Sequence, residues 1–246
     1  LPKALIEWTI RRVRADDTYT LDPDLRGADI ISEVFSRVVS LARGLVVLAG
    51  IPGGRMRFVE SGCSFRHRRN LRIGSGSVIE HGARITALSR EGIDIGRRVT
   101  IGKYSMIECT GVLWRLGVGL TIGDGSSVGD YSFIGCVGGV SIGKDVLMGQ
   151  YVSFHSQNHR FDDPDRLIRE QGVSEEGIHV GDDCWLGAGA KILDGVRLGN
   201  GCVVAAGAVV NRSFPPNTVI GGVPARPLGV RGQRESDSDH ASSGAA

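Results

Sequence analysis

The sequence predicts an all-β protein wound as a parallel solenoid, and three observations predict it. Aliphatic residues recur every six positions, in threes at first (Ile73/Ile79/Ile85, Ile95/Ile101/Ile107, Ile122/Val128/Ile134, Ile142/Met148/Phe154) and then without a slip through Val180, Leu186, Ile192, Leu198, Val204 and Val210. Glycine often stands directly behind them, as at Gly181, Gly187 and Gly199, and residues of small or modest size (Cys184, Ala190, Val196, Cys202, Ala208) stand four places after. Glycine also reaches 37 of 246 residues, roughly twice the usual share, as tight corners at positive φ require. A helix repeats at 3.6 and a strand at 2, so neither produces a strict six with glycine at a fixed offset. Three short strands making one coil of a parallel β-helix do.

The elements follow in order. Residues 1–54 lie outside the repeat and read as a helical extension. Residues 5–14 form a short basic amphipathic pattern, and between Ala28 and Leu48 the polar positions Asp29, Glu33, Ser36, Ser40 and Arg43 fall at steps of four and three. The rest of that stretch (Ile30, Ile31, Val34, Phe35, Val38, Leu41, Leu45) is apolar, which predicts a helix with a wide buried face, ended by Gly50-Ile51-Pro52-Gly53-Gly54. It is expected to cover the open end of the solenoid, a bare apolar edge otherwise; contact with a membrane surface is the alternative.

The solenoid is assigned to 55–231. Its coils open at Ile73, Ile95, Ile122, Ile142, Val180 and Leu198, and only the last step has the uninterrupted 18 residues. Surplus residues therefore leave the stack after the third strand of each earlier coil. The largest surplus, about 20 residues, gives a projecting loop at 155–177, dense in ionisable groups, and such loops on rigid scaffolds are disproportionately functional. The small polar tail 232–246 is expected to be disordered.

Bulk properties favour a soluble cytoplasmic protein. The net charge of +2 gives no global case for nucleic acid, although Arg55, Arg57, Arg66, Arg68, Arg69 and Arg72 form a local basic stretch, read as a solvated edge. Five cysteines in no CxxC pattern suggest thiols in a reducing compartment, with Cys184 and Cys202 one coil apart as core fillers. No segment reaches the ~18 uncharged apolar residues of a membrane span.

NHRFDD at 158–163, VGDDCWLGAGAKILDGVRLGNG at 180–201 and VVAAGAVVNRSFPPNTVIGGVPAR at 203–226 resemble the hexapeptide-repeat acyltransferases of the galactoside and maltose O-acetyltransferase type, and are similar also to the branch that acetylates surface polysaccharides. The resemblance covers most of the chain from about residue 70. It implies a left-handed parallel β-helix, a homotrimer, and acyl transfer from acetyl-CoA in clefts between subunits, with no metal.

Carried over residue by residue, the resemblance makes His159, which closes the third hexad FHSQNH, the catalytic histidine. His155 lies inside the preceding strand and is kept as an acceptor contact. Tyr131 or Ser132 matches the region that contacts the acceptor one coil earlier, and Trp185 a tryptophan lining the acceptor and thiol end of the cleft. Ala188 and Ala206 match positions along the pantetheine arm. Asn211 and Arg212 replace a Thr-Lys pair near the nucleotide, and Arg226 a basic residue facing the CoA phosphates, where a guanidinium fork is well suited. Asp162, Asp163 and Asp165 are possible orienters of His159.

Imidazole suits the task because its pKa of ~6.5 lies near working pH: it accepts the proton of an attacking alcohol and returns it to the leaving thiolate. An N-acetyltransferase for an amino sugar or drug is the rival reading, and a non-catalytic solenoid scaffold a weaker one. A γ-class carbonic anhydrase needs a further histidine about two coils before His155/His159; His81, 74 residues upstream of His155, is too far away.

Overall fold

The structure is a computed structural model, and it describes residues 6–8, 11–12, 18 and 20–233. The tail reading for 232–246 therefore lies almost wholly outside the described residues. So does much of the 5–14 pattern, of which residues 6–8 and 11–12 are helical.

Each coil gives one strand to each of three sheets. The first sheet stacks Leu71–Ile73, Gly92–Ile95, Gly119–Ile122, Val140–Ile142, Ile178–Val180 and Arg197–Leu198. The second begins at Phe58–Val59 and runs through Val78–Ile79, Thr100–Ile101, Ser127–Val128, Leu147–Met148, Trp185–Leu186 and Val203–Val204 to Thr218–Gly222. The third stacks Ser64–Arg66, Arg84–Thr86, Met106–Glu108, Phe133–Gly135, Ser153–His155, Lys191–Leu193 and Val209–Val210. All of these pairings are parallel; within the three sheets the closing strand Ala225–Val230 alone runs antiparallel, folding back on Thr218–Gly222.

The hexad aliphatics are the core, each at most 6% exposed, and Cys184, Ala190, Val196, Cys202 and Ala208, four places after them, are buried too. The repeat also starts one coil earlier than its aliphatic signature shows. Val59 and Phe65 pair with Ile79 and Ile85 in register, and Phe65 is only partly covered. Between coils, side chains bridge the corners: Asp124, Asp182 and Asn200 accept the backbone N–H of Arg97, Lys144 and Asp182 at 2.7, 2.7 and 2.9 Å. The recurrent Gly-Asp and Gly-Asn pairs thus have a mechanical reason. A Cβ on Gly187 would lie 2.5 Å from the Ala206 nitrogen of the next coil, so the glycine is what lets adjacent backbones meet. All five cysteines are free thiols.

The helix Gly27–Val47 covers the open end, as expected, but with the other face. Ile30, Ser40 and Gly44 are its buried residues, whereas Ile31, Phe35, Val38 and Leu45 are exposed. The cause is close backbone approach: a Cβ on Gly44 would stand 2.0 Å from the Arg57 carbonyl oxygen. The helix therefore docks through its small residues. Asp29 accepts the Arg26 N–H at its start (3.2 Å), while Arg57 and Arg68 donate to carbonyls at its end (Leu48 at 3.3 Å, Ala49 at 3.0 Å), matching the helix dipole at both termini. Among the described residues no helix is long and apolar enough to cross a membrane.

Candidate functional site

The surplus between Phe154 and Val180 forms a β-ribbon. Asn158–His159 pairs antiparallel with Val173–Ser174, His159 facing Val173, and a 3-10 turn at Ile168–Glu170 shapes the far end. His159 is exposed, and among the described residues no side chain hydrogen-bonds its ring. Asp163 does not orient it: the Asp163 carboxylate accepts the Asp165 N–H, and its backbone is bracketed by Gln171 at 3.0 and 2.8 Å. Asp163 closes the loop on itself.

The root of the ribbon is held firmly, by residues that carry no motif. Asp194 accepts the N–H groups of Glu176 and Gly177 at 2.9 Å each and the Ser174 hydroxyl at 3.2 Å. Glu175 accepts from Gln157 at 2.8 Å and pairs with Arg115 at 2.9 Å, which ties the ribbon to the 110–118 loop two coils earlier. The exposed tip of that loop is Leu113-Trp114. Sequence reasoning passed over Asp194 and Glu175; the one available signal was Asp194 in the LDG that follows the hexad Ile192.

The remaining residues fall into two places. On the second sheet, just before the corner that follows it, Trp185 stands outward and 57% exposed between Leu147 and Val203. Ala188 and Ala206 are exposed one coil apart, with the Gly207 N–H on the Ala188 carbonyl at 2.8 Å. Tyr131 belongs to the same corner. It adopts φ 57°, in the left-handed region, and stacks between Tyr104 and Tyr151 with ring centroids 5.3 Å apart on both sides. Tyrosine in that region is rare, and Gly189 and Gly207 fill it in the following coils.

Ser132 is corrected: it points into the core, 3% exposed, and cannot touch a ligand in a cleft. It occupies the buried position four places after a hexad residue, so one residue of register turned it inward.

At the opposite edge of the third sheet, the corner after it, stand the His159 ribbon and, two coils on, Asn211 and Arg212, the latter 5.2 Å over the Phe214 ring. Arg226 lies on the closing antiparallel strand. Within one chain the width of the third sheet separates His159 from Trp185, Ala188 and Ala206. The concavity of about 400 Å³ on the first sheet, floored by Thr121, Ser141 and His179, contains neither group. Among the described residues no group of three His, Cys, Asp or Glu side chains is placed to hold a metal.

His155 projects from the third sheet with its ring centroid 5.7 Å from that of Phe133. Burial first, and then the Lys191 ammonium on the adjoining strand, hold its pKa below the ordinary histidine range. As pH falls through about 6.5, the unfolded chain takes up this proton before the folded one does, so stability falls across that window. The loss of melting temperature on acidification from about pH 7.5 to pH 5 should therefore be smaller in His155→Gln than in the wild type. An identical pH dependence would show that His155 is solvated.

Known proteins carry the same signals. The family model described as bacterial transferase hexapeptide (six repeats) matches residues 177–212. A galactoside O-acetyltransferase of Lactococcus lactis is 33% identical over 86 residues, 35% of this chain and 40% of that protein. A tetrahydropyridine-dicarboxylate N-acetyltransferase of Staphylococcus aureus is 47% identical over 53 residues, 22% of each chain. Among solved structures, AntD, an N-acyltransferase from Bacillus cereus crystallised with a dTDP-amino sugar and coenzyme A, superposes with a TM-score of 0.53 at 15% identity, over 78% of this chain and 90% of that one; that likeness is one of fold.

These similarities fall on a three-sheet parallel solenoid with a histidine ribbon leaving one corner and a glycine-alanine corner opposite. Residues 177–212 thus carry the bacterial transferase hexapeptide repeat, and about a third of the chain is similar to acetyltransferases. It spans under half the length of the curated relatives it matches.

Proposed function

We propose that the protein is an acetyltransferase. It moves an acetyl group from acetyl-CoA to a hydroxyl of a saccharide-type acceptor by direct attack, with His159 as general base. The observation that carries this reading is the division of the site residues between two edges of the third sheet, one with a histidine on a pinned ribbon, the other with small residues and an exposed tryptophan. Two copies side by side would bring such edges together, and a homotrimer of left-handed β-helices does so three times. The acyltransferase unit is 55–231 and residues 1–54 are its extension. The free thiols agree with a cytoplasmic setting.

In this scheme the imidazole of His159 takes the acceptor's hydroxyl proton as the oxygen bonds to the thioester carbon. The C–S bond then breaks and the proton passes to the departing sulfur, so acetyl has moved from S to O with no net proton change. Exposure of His159 at the ribbon root leaves its ring open to an acceptor, and the Asp194 and Glu175 contacts fix its position. Trp185 would flank the thiol end, Ala188 and Ala206 would let the pantetheine arm lie against the backbone, and Asn211, Arg212 and Arg226 would meet the nucleotide and its phosphates. Tyr131 and His155 would face the acceptor.

An amine acceptor is the second reading, favoured by the N-acetyltransferase among the matched relatives. Thiol release from acetyl-CoA across a panel of sugars, nucleotide sugars, oligosaccharides and amino sugars tests both; no turnover with any member, by a protein that binds CoA, would leave only a scaffold.

Assembly and cofactor are tested separately. Light scattering should give about three times 26.2 kDa, and a fully active monomer would defeat the shared cleft. Acetyl-CoA should raise the melting temperature by mass action. Arg226→Ala should weaken that shift and leave kcat nearly unchanged, because a remote phosphate contact holds ground and transition states alike. A large kcat loss at constant KM would give Arg226 another role.

A further inference from the structure

The helix Gly27–Val47 turns its large apolar side chains away from the solenoid. Ile31, Phe35, Val38, Leu45 and Val46 are 58%, 68%, 58%, 60% and 75% exposed. At 100° per residue they fall, with Ala42, into one stripe about 100° wide over four turns. A stripe of that kind on a surface helix normally faces a core; here the small face of the helix does so instead. Contiguous exposed apolar surface of this extent marks an interaction site.

Charge is concentrated beside it. Residues 27–72, the helix and the terminal coil it covers, hold eight arginines against Asp29, Glu33 and Glu60, a net +5 in a chain whose net charge is +2. Arg43, Arg57 and Arg68 donate to backbone carbonyls of Val59, Leu48 and Ala49, and Arg72 pairs with Asp94 at 2.7 Å. Arg37, Arg55, Arg66 and Arg69 are exposed at the same end of the molecule, and Met56 stands among them, 41% exposed.

We propose that this end of the solenoid docks on the surface of an anionic phospholipid bilayer. The helix lies in the interface plane with Ile31, Phe35, Val38, Leu45 and Val46 among the upper acyl chains, and the arginines meet lipid phosphates, for which a guanidinium fork is suited. Charge complementarity selects this occupant. A second copy pairing end to end would set +5 against +5, and a nucleic acid would leave the apolar stripe in water. Attachment is peripheral, since no described helix is long and apolar enough to cross a membrane.

The test is sedimentation of the full chain with phosphatidylcholine vesicles, with and without phosphatidylglycerol. The protein should sediment with the mixed vesicles and stay in solution with phosphatidylcholine alone. Phe35→Ser combined with Val46→Ser, at exposed positions that should not disturb folding, should lower recovery on mixed vesicles about tenfold or more. Arg66→Ala with Arg69→Ala should weaken binding and reduce its sensitivity to salt. Trp114→Ser, at an exposed apolar tip elsewhere, should change nothing. Equal recovery on both vesicle types, or none on either, overturns the proposal. So does a fall in the lipid-free mass by light scattering when Phe35 and Val46 are replaced, which would assign the stripe to contact between copies.

Discussion

His159→Ala should lower kcat by about 10²–10⁴-fold, the usual contribution of a positioned general base, while oligomeric mass and the thermal shift produced by acetyl-CoA stay as in the wild type. The side chain is exposed on the ribbon and fills no core position, so its removal opens no cavity. The contacts that hold the ribbon root run through Ser174, Glu175, Glu176, Gly177 and Asp194, not through the imidazole. His155→Ala should reduce turnover less. Near-normal turnover in His159→Ala with loss in His155→Ala would move the base four residues toward the N-terminus. Indifference of both would end the general-base mechanism.

Phe154→Ala should cost about 3–5 kcal/mol of stability, a large share of the roughly 5–15 kcal/mol that holds a typical domain. Phe154 is fully buried and among the largest side chains that are. It lies between Ile134 and Ile192 in the third-sheet ladder. Strand spacing there is fixed near 4.8 Å by backbone hydrogen bonds above and below, so the walls cannot close on the cavity and little of the loss is recovered. Neighbouring coils depend on one another pairwise, and the coil that loses Phe154 is the one from which the His159 ribbon departs. The denaturant midpoint should fall sharply, with proteolysis beginning in residues 156–177. A cost below about 1 kcal/mol would mean that the coil repacks, contrary to a close-packed interior.

The solenoid was legible because its core is periodic. Every aliphatic residue on the six-residue beat from Ile73 to Val210 is buried, and the ribbon appears where the beat lapses. The coil of Val59 and Phe65 falls inside the assigned 55–231 solenoid, although its aliphatic signal is only two hydrophobic residues with no glycine behind them. The helix orientation was misread. Amphipathicity names the larger apolar face, whereas docking was decided by which face lets two backbones approach, and that is set by Ser40 and Gly44. Ser132 was offered as an acceptor contact beside Tyr131, yet adjacent residues of a corner point to opposite sides of the wall, one at φ 57° in solvent and the other in the core.

By itself the sequence determined the architecture, the breaks in it and the identity of the ribbon histidine, because a repeat repeats its own local physics and needs no distant partner to be read. Only the tertiary structure decided what holds that histidine. Asp194 and Glu175 lie 35 and 16 residues beyond it in the chain and meet the ribbon root because coils stack. Only the tertiary structure, too, put His159 and the glycine-alanine corner on opposite edges of one sheet. Which side of a helix or corner faces water depends on what the solenoid presses against it, and that contact has no period.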